Sequence, residues 1–151
     1  MNTKNIIDYL KRTISSFTEL NLIYASKQKL LIEYNYEDFS QLTKKEEIVL
    51  SKLQHEEKNR LKLKDELLTA LNLPKEKFKM EKFSTILTQR LKNENFDEII
   101  ALEEELKSLL EKSSSLNRTN LFLLEHKKQF VTEMFRILFA GQNQNFINRK
   151  M

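Results

Sequence analysis

The residues of this chain whose types could do chemistry are two histidines and a run of three glutamates. His55 stands in QHEEK and His126 in EHKKQ, and neither has a second histidine three or four residues away. The HExxH pattern of zinc hydrolases is therefore absent. Glu103, Glu104 and Glu105 would fan over about 200° of a helix, so their carboxylates do not converge on a substrate. A single glycine excludes a glycine-rich phosphate loop. We expect no enzyme, no metal site and no cofactor.

The composition favours long helices. The 151 residues suit one domain with a modest core. They include one glycine and one proline, where average proteins have about 7% and 5%. So few turn-forming residues allow few tight turns, and the abundant Lys, Glu and Leu are good helix formers. The sequence predicts an all-α protein.

Composition also indicates the cellular compartment of the protein and the kinds of partner that it does not bind. There is no cysteine, and the N-terminal MNTKNIIDYLKR lacks the apolar core of a signal peptide. No stretch approaches 18 uninterrupted apolar residues, so we expect no membrane span. The net charge of +4 is spread over interleaved acids and bases, as in KKEEIVLSKLQHEEKNR, without a basic stripe. We expect a cytoplasmic protein that binds neither nucleic acid nor membrane.

Apolar spacing divides the chain into predicted helices. In the first, gaps of three and four residues alternate along Ile7, Leu10, Ile14, Phe17, Asn21, Tyr24, Gln28 and Leu31. The predicted helices cover residues 3–34, 36–72, 80–92 and 96–140. Short connections make consecutive long helices antiparallel. We expect an elongated, coiled-coil-like antiparallel bundle of three long helices with one short extra helix. It would form one domain over 1–141, closed by Gly141 as a C-cap and followed by a flexible polar tail over 142–151.

The last predicted helix carries two apolar series rather than one. The inner seam consists of Leu102, Leu106, Leu109, Ser113, Leu116, Asn120, Leu123, Lys127, Phe130, Met134 and Ile137. The outer seam consists of Leu121, Leu124, Lys128, Val131, Phe135 and Leu138. Both alternate in gaps of three and four, and they lie roughly 90° apart around the helix. A helix at the edge of a three-helix bundle buries one stripe, so this helix has more apolar surface than its bundle can cover. The polar members of the inner seam are expected to fix its register.

The residues alone leave several interpretations of the outer seam open. The short helix at 80–92 could cover it, or a second copy in a homodimer. It could instead be the docking surface for an amphipathic helix of another protein. Attachment to membrane surfaces is disfavoured, because Glu125 and Glu133 interrupt the basic face that such anchors use.

Two segments resemble the FlgN-type flagellar export chaperones. YEDFSQLTKKEEIVLSKLQHEEKNR is similar to the first hairpin of that family, with an acidic-apolar turn, a Lys/Glu pair, spaced leucines and an arginine. The residues that carry this likeness are Asp38, Phe39, Leu42, Lys45, Glu46, Leu50, Leu53, Glu57 and Arg60. LNRTNLFLLE looks like the family's Leu-Asn-x-x-Asn-x-x-x-Leu segment, which places Asn117, Asn120 and Leu124 on its pattern.

The resemblance implies a function. Such chaperones bind the C-terminal amphipathic helices of hook-filament junction proteins in the cytosol, prevent their early assembly, and deliver them to the flagellar type III export apparatus. We accordingly predict a non-enzymatic export chaperone, with export-gate components as further expected partners. The predicted partner-binding residues are Asn117, Asn120, Leu121, Leu124, Val131, Phe135, Leu138 and Phe139. The alternative is a structural coiled-coil protein whose outer seam is a homodimer interface.

Overall fold

The computed structural model describes residues 3–139, and of Phe139 the backbone alone. Over that range the chain forms helices and no strand. The helices are α1 (Thr3–Ile32), α2 (Tyr36–Ala70), α3 (Phe83–Arg90) and α4 (Asp97–Phe139). The prediction of an all-α bundle with three long helices and a short one is confirmed. The short helix begins at Phe83 rather than at the predicted residue 80. The predicted C-cap and the tail over 142–151 lie outside the described residues.

The corner between α1 and α2 is tight because its residues take special roles. Tyr34 has a φ of 59°, in the left-handed region that costs a residue with a Cβ about 1–2 kcal/mol. The side-chain oxygen of Asn35 accepts a hydrogen bond from the Asp38 N–H at 3.2 Å and so caps α2. Glu37 and Asp38 place negative charge at the positive end of the helix dipole. The chain therefore turns back directly, and α2 runs antiparallel to α1.

The central helix of the bundle is α1. It packs along both α2 and α4, whereas α2 and α4 share no extended interface within residues 3–139. Lys11 pairs with Glu98 near the start of both α1 and α4, and Asn120 bonds to Tyr24 further along both. The two helices therefore run in the same direction, and the three long helices follow an up-down-up path. Because α2 and α4 each contact α1 rather than one another, a groove runs between them.

The apolar core is concentrated at the end of the bundle where α3 lies, which we call the lower end. Its main cluster joins all four helices through Ile6, Tyr9, Leu10, Leu67, Leu68, Leu73, Phe78, Phe83, Ile86, Leu87, Phe96 and Ile99. The upper end, towards the α1–α2 corner, has a smaller cluster made of Leu20, Ile23, Tyr24 and Val49. The short helix α3 is thus committed to the lower core.

Two ion pairs join α1 and α2 at different heights of the bundle. Arg12 donates two hydrogen bonds to the buried carboxylate of Glu56, at 2.8 and 3.3 Å. Burial opposes ionisation of Glu56, but the bonds from Arg12 and Asn59 outweigh it and hold the pKa of the carboxyl below its usual range. Higher up, Lys27 bonds to Glu46 at 3.1 Å. These pairs fix the position of α2 along α1.

Candidate functional site

The inner seam of α4 packs against α1 through polar layers as well as leucines. The amide of Asn21 donates to the Leu109 carbonyl at 3.3 Å, and the Ser113 hydroxyl donates to the side-chain oxygen of Asn21. About two turns further along α4, the buried Asn120 amide donates to the Tyr24 carbonyl at 2.9 Å. Since each bond needs one particular alignment of the helices, these side chains fix the register of α4 on α1.

The packed part of the inner seam ends at Lys127. Its ammonium group lies 3.4 Å from the ring centroid of Tyr34, a cation–π contact at the α1–α2 corner. Beyond this point Phe130 is 52% exposed and Ile137 62% exposed. The last turns of the inner seam therefore do not pack against the bundle. The reason is that α1 ends at Ile32, so α4 continues past its neighbour.

The outer seam is largely open. Leu121 is 57% exposed and Leu138 is 63% exposed, Val131 is similarly open, and Leu124 is more than one-third exposed. Phe135 is half-buried. The short helix α3 does not cover this surface, because its apolar residues belong to the lower core. The interpretation in which the short helix lies over the outer seam is thus wrong.

The face of α4 that carries the outer seam continues towards the lower end. Leu110, Ser114 and Asn117 precede Leu121 at gaps of four, three and four residues. These three residues form one wall of the groove between α2 and α4. The opposite wall is on α2 and the floor is on α1. The groove has a volume of about 740 Å³, and its lining includes Phe17, Leu20, Tyr24, Leu50, Leu53, Glu57, Arg60 and Leu106.

A second cavity of about 390 Å³ continues the groove towards the lower end. Tyr9, Arg60, Leu106 and Leu110 line both cavities, so the two form one channel along the bundle. The lower cavity is bordered by the segment 79–83, which leads into the first residue of α3. The channel and the outer seam together form a continuous surface, which we call the α4 face. It extends from Leu106 to Leu138.

Within residues 3–139 no three His, Asp or Glu side chains come together in a way that could hold a metal ion. None of the helices in that range combines the length and apolarity needed to cross a bilayer. What distinguishes the surface is the open apolar α4 face.

Comparison with known proteins places the chain in a family. The family model described as FlgN protein matches residues 1–149, which is nearly the whole sequence. This chain belongs to the FlgN family. The general role of that family, chaperoning in flagellar type III export, therefore applies to it. Neither the curated proteins nor the solved structures contain a match.

The structure places the predicted binding residues of this FlgN protein in three environments. Five of them lie on the α4 face above the groove, namely Leu121, Leu124, Val131, Phe135 and Leu138. Asn117 lies lower on the same face, half-buried in the groove wall. Asn120 lies on the neighbouring face and bonds to α1, where it has a structural role. The side chain of Phe139 lies outside the described residues.

Sequence reasoning missed the groove that completes the α4 face. The series of Leu110, Ser114 and Asn117 has the spacing of the outer seam and would have extended it down the helix. The wall on α2 gave no such signal, because Leu50 and Leu53 look like ordinary members of a helix stripe. Their part in the FlgN surface depends on where α2 lies relative to α4.

Proposed function

We propose that this FlgN-family chain binds the C-terminal amphipathic helix of hook-filament junction proteins along the α4 face. In the cytoplasm it would hold that helix away from early assembly and deliver it to the flagellar type III export apparatus. The family supports the export role in general, and the client class comes from the sequence resemblance described above. The proposed role is binding rather than catalysis.

The observation that carries this proposal is the amount of exposed apolar surface on one helix. From Leu121 to Leu138 the outer seam presents large apolar side chains, and the last inner-seam residues are open beside them. Completely burying one Leu or Phe side chain stabilises a complex by about 1.5–3 kcal/mol. An amphipathic helix that lies along α4 would cover several of these side chains at once, which is the helix-in-groove mode of recognition.

The proposal predicts that two charges on the outer seam abolish client binding. In the double variant Leu121→Glu with Val131→Glu, both replaced side chains are exposed, so the fold should persist. A client helix that binds over this surface would have to remove water from two carboxylates, which costs binding free energy. Affinity for a peptide with the C-terminal helix of a hook-filament junction protein should fall at least about 100-fold, since two anchors are lost. Isothermal titration calorimetry measures this, with circular dichroism as the check on helicity.

The matched control places the same charges elsewhere. Leu22 and Ile48 are as exposed as the replaced residues but lie on α1 and α2, outside the lining of the groove. The variant Leu22→Glu with Ile48→Glu should bind the peptide as the unmodified chain does. Wild-type affinity in the outer-seam variant would show that the client binds elsewhere.

The rival is a permanent homodimer through the outer seam, the structural coiled-coil alternative. Multi-angle light scattering separates the two. A dimer whose mass does not change on dilution, and which the client peptide cannot dissociate, would favour the structural role over the chaperone.

A further inference from the structure

The groove between α2 and α4 is closed at one end and open at the other. At the lower end, the segment 79–83 bridges the two walls. The Lys64 ammonium on α2 donates to the carbonyl oxygens of Lys79, at 2.6 Å, and of Glu81. Just past the segment, the Ser84 N–H donates to the Glu103 carboxylate on α4 at 3.5 Å. At the upper end α4 continues past the α1–α2 corner, so the α4 face is open there.

The closed end is also the positively charged end. The lower cavity is lined by the bases Arg60, Lys64, Lys79, Lys82 and Lys107 and by the acids Glu81 and Glu103. The upper part of the groove is lined by Glu56 and Glu57 with Arg60 as the single base. Lys64 is occupied by backbone carbonyls and Arg60 bonds to Glu57. Lys79, Lys82 and Lys107 are exposed, and they supply the positive field at the mouth of the lower cavity.

A helix that enters this groove has a preferred direction in such a field. An α-helix carries about half a negative charge at its C-terminal end and half a positive charge at its N-terminal end. A free α-carboxylate adds a full negative charge if the helix ends the chain. The bases of the closed end attract a helix C-terminus and repel an N-terminus.

We propose that the client helix docks antiparallel to α4, with its C-terminal carboxyl end against the closed, basic end of the groove. This inference rests on the proposed function and adds the direction and the end-point of binding. From Leu106 to Leu138 the α4 face spans about 48 Å at 1.5 Å per residue, which seats a helix of about 32 residues. The segment 79–83 sets the lower limit, so the last turn of the client fixes its register.

Disulfide trapping tests the direction, because the chain contains no cysteine of its own. Met80 is 92% exposed within the segment that borders the lower cavity, and Leu138 marks the open end. The single variants Met80→Cys and Leu138→Cys are each oxidised with a client peptide that carries one cysteine in its last or in its first turn. Non-reducing gels then report which pairs form.

Antiparallel docking predicts that Met80→Cys traps the peptide with the C-terminal cysteine and Leu138→Cys the peptide with the N-terminal cysteine. The opposite pairing would overturn the direction and leave the client-binding function intact. Trapping by Leu138→Cys alone would show that the client does not reach the closed end. If neither variant trapped either peptide, the proposed function would fall together with this inference.

A charge test addresses the cause of the direction. The client peptide with a free carboxyl end should bind about two- to fivefold more tightly than the same peptide with an amidated end. In the variant Lys82→Glu with Lys107→Glu that difference should vanish, and the free-acid peptide should bind more weakly. The control variant Lys58→Glu with Lys62→Glu changes the net charge equally, outside the lining of the groove, and should retain the difference. Equal affinity of the two peptides for the unmodified chain would overturn the electrostatic argument.

Discussion

The two ends of this bundle use the same helix in different ways. At the lower end, α4 is one of four helices around a shared core, and Ile99 is almost completely buried there. At the upper end the same helix runs past the α1–α2 corner, with Ile137 mostly exposed. The apolar content of α4 does not fall between these regions, but the number of neighbours does. An apolar helix becomes a core element or a binding surface according to what lies beside it.

The largest difference between the ends should appear in stability. Leu87 on α3 is completely buried in the lower core, and Leu87→Ala should lower the free energy of unfolding by about 2–5 kcal/mol because it leaves a cavity. Leu138→Ala removes the same atoms from the exposed upper end and should change the free energy of unfolding by about 0.5 kcal/mol or less. Urea denaturation measures both. Similar losses in the two variants would mean that the end of α4 is covered in solution.

Two asparagines three residues apart compare the side of α4 that packs on α1 with the side that lines the groove. Asn120→Ala leaves the buried Tyr24 carbonyl without its side-chain donor and should destabilise the fold by about 1–3 kcal/mol. Asn117→Ala changes the half-buried groove wall and should leave stability nearly unchanged while it alters client affinity. Thermal unfolding and peptide titration of both variants separate the two roles. A loss of stability in the Asn117 variant equal to that in the Asn120 variant would contradict this assignment.

The smallest expected effect concerns the ion pair of Arg12 on α1 with Glu56 on α2. Because the pKa of Glu56 is lowered in the fold, its contribution is fully present above the ordinary glutamate pKa of about 4.5 and is lost as the pH falls through the lower folded value. Glu56→Gln should therefore cost about 1–2 kcal/mol at neutral pH and less in acid. Urea denaturation at pH 7 and below pH 4 checks the trend.

The control for that trend is Glu57→Gln. The Arg60 hydrogen bonds lower the pKa of Glu57 as well, but its side chain is more than half exposed and water screens the pair. The loss of stability caused by Glu57→Gln should therefore be smaller than that caused by Glu56→Gln at every pH. If the stability loss caused by Glu56→Gln were as large in acid as at neutral pH, packing of the Glu56 side chain rather than its charge would account for its contribution.

Local patterns predicted most of the architecture. The spacing of apolar residues predicted the long helices, and the 3–4 spacing of the inner seam predicted the face that packs on α1. These features depend on neighbours in the chain, whose positions in a helix follow from its geometry. The extent of packing could not be predicted in this way. Phe130 and Leu109 are equivalent in spacing, yet Leu109 lies beside α1 and Phe130 lies beyond its end.

The sequence by itself determined that this chain forms long helices and that the last of them carries more apolar surface than one bundle interface can bury. Tertiary structure alone decided where that excess is open. It brought the α2 wall opposite Leu110, turned Asn120 towards α1, and set the segment 79–83 across the lower end of the groove. The physical reason is that helix formation depends on residues three and four positions apart, whereas burial depends on partners tens of residues away. Exposure of a seam is therefore a property of the assembled bundle.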